Sequence, residues 1–133
     1  MTEPSQPSLW LTLQAHDAAA LIDFYVTAFG FSVNARYDEE GSDRVSHAEL
    51  LWPDGSGGLM MGSHKPDGEW STQPGTAAAY VVSSDPAAVH QRVTEHGGAR
   101  EVSDLTDKDY GSSEFTVVDP EGNKWSFGTY PGA

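Results

Sequence analysis

Apolar and polar residues alternate from Leu9 to Gln14, with Leu9, Leu11 and Leu13 on one face and Trp10, Thr12 and Gln14 on the other. That period of two predicts a half-buried strand. A helix is predicted next: Asp17 is a good N-cap, Leu21, Phe24, Tyr25 and Ala28 form an apolar stripe, and Gly30 can close it. Phe31 to Tyr37 reads as a strand, residues 38–43 as a charged loop, and Val45 to Trp52 and Gly58 to Ser63 as two strands joined by the turn Pro53-Asp54-Gly55. The segment Ser63 to Gly75 is rich in turn formers and reads as a linker that doubles as a mobile flap, with Trp70 in an unusual loop position.

The order then repeats. A strand is predicted over Thr76 to Ser83 and a helix over Pro86 to His96, with Pro at its first position and Gly97-Gly98 at its end. Strands follow near Arg100 to Asp104, at Ser113 to Val118 and at Lys124 to Thr129, with a polar loop over Asp107 to Gly111. The two halves align residue by residue: Asp17–Gly30 matches Asp85–Gly98 at a shift of 68, Pro53-Asp54-Gly55 matches Pro120-Glu121-Gly122 at 67, and Gly62 matches Gly128 at 66. Such a register implies one supersecondary unit duplicated about a pseudo-twofold axis. The expected organisation is a polar tail over 1–8, a first βαβββ module over 9–63, a linker over 64–75, a second module over 76–130 and a tail over 131–133.

Composition narrows the function. Seven basic against 20 acidic residues give a formal charge of −13, so there is no basic stripe to replace the counterions of nucleic acid or to meet an anionic membrane, whereas a cationic ligand is drawn in. No apolar run approaches the ~20 residues that span a bilayer, and Met1 to Ser8 is polar with two prolines, so a cytoplasmic location is expected. With no cysteine there is no disulfide framework, no thiolate zinc site and no Cys nucleophile.

The paired βαβββ order, the run Ile22-Asp23-Phe24-Tyr25 followed by Phe29-Gly30-Phe31, and the closing Asp119-Pro120-Glu121-Gly122-Asn123 resemble the vicinal oxygen chelate superfamily, which includes glyoxalase I, bleomycin-resistance proteins and extradiol dioxygenases. The resemblance spans Leu9 to Tyr130, and Trp125-Ser126-Phe127-Gly128-Thr129-Tyr130 looks like the PhnB-like branch. It implies an α+β fold of two tandem modules whose curled mixed sheets surround a cleft, frequently completed by a second chain. Metalloenzymes of this group draw His, Gln or Glu ligands from the first and last strands of each module. Those positions carry over to Trp10, Met60, Ala78 and Ser126, none a usual ligand, so no metal and no cofactor is expected.

The site must therefore be read from other residues. His47 and Glu49 share a strand face and map at a shift of 67 onto Glu114 and Thr116, while Ala48 and Leu50 map onto apolar Phe115 and Val117. His47, Glu49 and Glu114 are candidate acid–base residues, ligand-binding residues, unorthodox metal ligands or simply a hydrogen-bonded wall. Thr12 and Tyr80 share faces with Trp10 and Ala78. The expected ligand-binding set is Trp10, Thr12, His47, Glu49, Met60, Ala78, Tyr80, Glu114, Thr116 and Ser126. Rings and thioethers in place of metal ligands favour a flat organic molecule, and the resemblance to bleomycin-resistance proteins implies a cationic aromatic drug or metabolite held by a homodimer. The alternatives are a glyoxalase-like lyase or isomerase, through an unorthodox metal or through His47, Glu49 and Glu114, and an accessory domain that docks a protein partner. His16, His90 and His96 read as surface groups and His64 as a solvated loop residue.

Overall fold

The computed structural model describes residues 6–133; the first five residues of the tail expected over 1–8 lie outside the described residues. Strand β1 (Trp10–Ala15) leads to the N-cap Asp17, whose Oδ1 accepts the Ala20 N–H at 3.1 Å and starts helix α1 (Ala18–Phe24). Strands β2 (Ser32–Asp38), β3 (Val45–Leu51) and β4 (Gly58–Ser63) complete the first half. The second half runs β5 (Ala78–Val82), α2 (Pro86–His96), β6 (Glu101–Val102), β7 (Thr106–Asp107), β8 (Ser113–Val118) and β9 (Lys124–Gly128). None of the described helices is long and apolar enough to cross a membrane.

Each half builds a mixed sheet, β1-β4-β3-β2 and β5-β9-β8-β6, with β7 also pairing β8. In both, the first strand runs parallel to the last and the remaining pairs are antiparallel. The duplication is visible in the register, since Thr12 lies opposite Met60 as Tyr80 lies opposite Ser126.

Beyond one-residue differences at strand ends, the sequence-based boundaries shift at three places, each with an identifiable hydrogen bond behind it. The first helix leaves the α register after Phe24: Tyr25–Phe29 forms a π-helical turn closed by the Gly30 N–H on the Tyr25 carbonyl at 3.0 Å, with Gly30 at φ 92°. Tyr25 and Phe29 thereby stack at 5.5 Å, both fully buried. Strand β5 starts at Ala78 rather than Thr76, because the Thr76 hydroxyl closes a turn on the Gln73 carbonyl at 2.6 Å. The strand expected over 100–104 is split. Ser103 interrupts it by accepting the Thr116 N–H on its hydroxyl at 2.8 Å, and pairing resumes at Thr106–Asp107, reaching the first residue of the expected loop.

One apolar core serves both halves. Helix α1 lies on β1 and β4, while Phe29 in its π turn packs against Trp125 at 5.3 Å and Phe127 at 4.7 Å on the other sheet. Leu13, Ala15, Ala48, Leu50, Leu59 and Met61 of the first sheet and Phe115, Val117, Trp125 and Phe127 of the second are all buried. Because strand side chains alternate, the opposite faces of both sheets look away from this common core.

Polar bonds lock the halves in a reciprocal pattern. Glu121, in the second-half turn, accepts the N–H groups of His16 and Asp17 at 2.7 and 2.8 Å, just ahead of α1. Asp54, its repeat equivalent, accepts the N–H of Ser84 at 2.6 Å, just ahead of α2. Below them, Asp119 is fully buried and satisfied by five donors: Oδ1 takes the Glu121 and Asn123 N–H groups at 2.9 and 3.0 Å, and Oδ2 takes Tyr25 O–H at 2.6 Å, Asn123 Nδ2 at 3.0 Å and Trp125 Nε1 at 3.1 Å. Burial, and then the neighbouring Asp119 carboxylate, push the Tyr25 phenol well above its usual range, so it stays a donor.

Tyr25→Phe removes one charge-assisted bond from this node and is expected to cost about 1.5 to 3 kcal/mol in urea unfolding, with the m-value unchanged. Tyr37→Phe on the exposed β2 is expected to stay within about 0.5 kcal/mol of wild type. Equal midpoints for the two variants would show that Asp119 does not carry the junction.

Candidate functional site

On the first sheet, the face turned away from the core carries Thr12 and Gln14 from β1, Met60 from β4 and His47 and Glu49 from β3. His47 Nε2 and Glu49 Oε2 are 3.0 Å apart, and Asn34 Nδ2 donates to the other Glu49 oxygen at 3.0 Å. The bonds from His47 and then Asn34 hold the Glu49 carboxyl below its usual range. Tyr37, opposite His47 on β2, stacks its ring on the imidazole at 6.4 Å and 18°.

Residues 64–75 fold back across this face as a strap. Gln14 Oε1 accepts the Lys65 and Thr72 N–H groups at 3.2 and 3.4 Å, and Arg44 Nη2 donates to the His64 carbonyl at 2.7 Å. Strap and sheet enclose a cavity of about 440 Å³ whose walls include Thr12, Gln14, His47, Met60, Lys65, Trp70 and Thr72. That volume suits a small organic molecule. Trp70 stays 85% exposed at the edge of this cavity, and Thr72 Oγ1 is buried in the strap without a hydrogen-bond partner among the described residues.

The open face of the second sheet carries Ala78 and Tyr80 from β5, Ser126 from β9 and Glu114 and Thr116 from β8. Glu114 is its polar centre. Its Oε1 accepts Tyr110 O–H at 2.6 Å, and its Oε2 accepts Tyr80 O–H at 2.7 Å and Ser112 O–H at 3.0 Å. The Tyr110 and Tyr80 bonds hold the carboxyl below its usual range, and in return the Tyr110 phenol is pushed up to about 12. Gly128 makes the close approach possible, since a Cβ there would sit 2.3 Å from the Tyr80 hydroxyl and 2.5 Å from Glu114 Cγ.

The structure thus brings Thr12, His47 and Met60 together in one cavity, with Glu49 bonded to His47, and it gathers Tyr80 and Glu114 on the other sheet. No hydrogen bond or shared cavity among the described residues joins His47 and Glu49 to Glu114. His47 and Glu49 share the open face of the first sheet and Glu114 lies on that of the second, and both faces look outward. Trp10 lies over Gly58, where a Cβ would meet its ring at 2.5 Å, so its indole packs on β4. Trp52 and Trp125 are buried at 7% and 3% exposure. They border a second cavity of about 440 Å³, an apolar crevice at the junction of the halves with Leu9, Leu11, Phe31, Val81 and Tyr80.

The four positions at which the resemblance places metal ligands carry no imidazole, amide or carboxylate. Trp10, Met60, Ala78 and Ser126 present an indole, a thioether, a methyl and a hydroxyl, a set that does not fit a divalent cation. No group of three or more His, Asp or Glu arranged to hold a metal occurs among the described residues. Sequence reasoning missed Gln14, Asn34, Tyr37, Tyr110 and Thr72. Gln14 was legible from the β1 alternation. Asn34 and Tyr37 were hidden by register shifts in β2, and Tyr110 and Thr72 lie in loops that carry no period. His90 and His96 are less isolated than their helix positions suggested, since they meet Phe115 at 4.9 Å and Phe24 at 5.1 Å.

A profile of the Glyoxalase/Bleomycin resistance protein/Dioxygenase superfamily matches residues 8–127. No curated protein matches the chain. Among solved structures, TioX from Micromonospora sp. ML1 is 26% identical, with 93% of this chain and 97% of that one covered at a TM-score of 0.73. A glyoxalase/bleomycin resistance protein from Streptomyces sp. CB03234 is 18% identical, with 92% and 98% covered at 0.71. TnmS3, an antibiotic binding protein from the same organism, is 20% identical, with 96% and 97% covered at 0.69. The last two likenesses are of fold.

The Glu114 network has a titration signature. A carboxyl depressed in the folded state adds stability that is present above the unfolded carboxylate range and lost as pH falls through the folded value. Glu114→Gln should therefore flatten the acid limb of the stability profile. It should also bring the Tyr110 phenol back from about 12 towards 10.0, followed by its ring NMR shifts. An unchanged Tyr110 titration would refute the network.

Proposed function

The chain belongs to the glyoxalase/bleomycin resistance protein/dioxygenase superfamily, and within it we propose a metal-independent binding protein for a planar, cationic small molecule such as an aromatic drug or metabolite. The observation that carries the reading is the strap cavity: about 440 Å³ over an open sheet face, with the Met60 thioether on its floor and an exposed indole at Trp70. A flat ring lying on the Met60 thioether beside the Trp70 indole uses the aromatic and thioether surface of this cavity. The charge of −13 draws cations to the chain as a whole, and the shared fold with an antibiotic binding protein supports a small-molecule ligand. The run from Trp125 to Tyr130 supports a place in the PhnB-like branch.

The biological unit in this proposal is a homodimer. Each chain presents two outward faces that a second copy can bring together, so that His47 and Glu49 of one protomer and Glu114 of its partner wall a common cleft.

A second reading rests on His47, which lines the cavity with a carboxylate at 3.0 Å to orient it, the arrangement of a general base. It proposes a lyase or isomerase that moves a proton through the imidazole, and it predicts turnover that His47→Gln abolishes.

Titration with 9-aminoacridine, a planar cation, is expected to quench Trp70 fluorescence saturably, and Trp70→Phe to remove that signal. Thr12→Arg, on an exposed strand position, should fill the cavity and weaken binding by about tenfold or more without lowering the melting temperature. Absence of saturable quenching across a panel of planar cations would overturn the proposal. So would stoichiometric zinc, nickel, iron or manganese in protein purified without chelator.

A further inference from the structure

We infer that Glu114, Tyr80, Tyr110 and Tyr130 form a subsite for an organic ammonium group. The inference deepens the binding reading above and rests on it. Glu114 is held ionised by three hydroxyl donors, yet it has no cationic partner: the ion pairs among the described residues are Arg36 with Asp38, Arg44 with Glu39 and His47 with Glu49. Lys108 acts on its carboxyl through its charge but forms no ion pair with it. An anion of this kind on an open sheet face, in a chain already bearing −13, is unneutralised.

Its surroundings select the counterion. The Tyr110 and Tyr130 rings meet edge to face at 5.5 Å and 73°, making two walls of a corner, and Tyr80 joins them through its hydroxyl, which accepts the Tyr130 N–H at 3.1 Å. All three rings remain accessible, at 60%, 40% and 42% exposure. A hydrated sodium ion gains little from aromatic walls. An alkylated ammonium is weakly hydrated, is attracted to ring faces and still feels the carboxylate. Tyr80 also borders the apolar crevice at the module junction, which gives the substituents of such an ammonium nonpolar surface to lie on. The hydroxyl bonds fix both the carboxylate and the rings before any ligand arrives, so binding orders little.

The test uses tetramethylammonium chloride and its neutral isostere tert-butanol, read by the ring NMR shifts of Tyr80, Tyr110 and Tyr130. Saturable shifts with the cation alone are expected. Glu114→Gln should weaken them by about tenfold or more, and Tyr110→Leu should weaken them more than Tyr110→Phe, which keeps the ring and loses the hydroxyl. Equal shifts with tert-butanol, or an unchanged response in Glu114→Gln, would overturn the subsite. Retained 9-aminoacridine quenching at Trp70 in that case would confine the failure to this inference, whereas loss of both responses in the wild-type protein would remove the binding reading as well.

Discussion

The buried Asp119 carboxylate fixes how the two halves meet, and the direction of every open surface follows from that. It receives Tyr25 from the first helix and Trp125, Asn123 and two backbone N–H groups from the second half, so the π turn of α1 is drawn onto β9. Phe29 then fills the space between the sheets and a single core forms. Removing one donor from a buried carboxylate leaves part of its desolvation uncompensated, which is why a side chain far from either open face governs their arrangement. The exposed Asp54 and Glu121 clamps repeat this logic at the rim, each turn acid reaching the residues ahead of the opposite helix.

A shared inward core has a functional consequence. The chemistry singled out by the repeat, His47 and Glu49 against Glu114 and Thr116, sits on two faces that one chain keeps apart. Each face is furnished differently: the first has a strap, an imidazole–carboxylate pair and a thioether, the second a carboxylate ringed by phenols. A pseudo-symmetric scaffold thus carries two unlike open faces, each a half-site in the proposed function. The proposed ligand, planar at one end and cationic at the other, matches the two kinds of half-site.

Much of the fold was legible because duplication and alternation are strong signals. The shift of 68 between Trp10 and Ala78 and of 66 between Met60 and Ser126 reappears as equivalent ladder positions. The inward sets Ala48, Leu50, Phe115 and Val117 followed from strand parity alone. What escaped the sequence depends on contacts between distant residues. Asp119 read as part of a turn, and nothing local distinguishes a turn Asp from one that meets Tyr25 across 94 positions. The π turn answers to that same bond. The split of the second strand in the second half hinges on one Ser103 hydroxyl competing for a ladder N–H. The strap was recognised as turn-rich, but its anchoring on Gln14 and the unpaired Thr72 hydroxyl needed the tertiary fold.

In the proposed function the site is completed by two copies of this chain. Sedimentation velocity with detection at the absorbance of 9-aminoacridine tests it most directly, because it reports the size of the species that carries ligand. The account predicts that the dye sediments with a particle of twice 14.3 kDa. Dye carried with undiminished affinity by a 14.3 kDa monomer would contradict it.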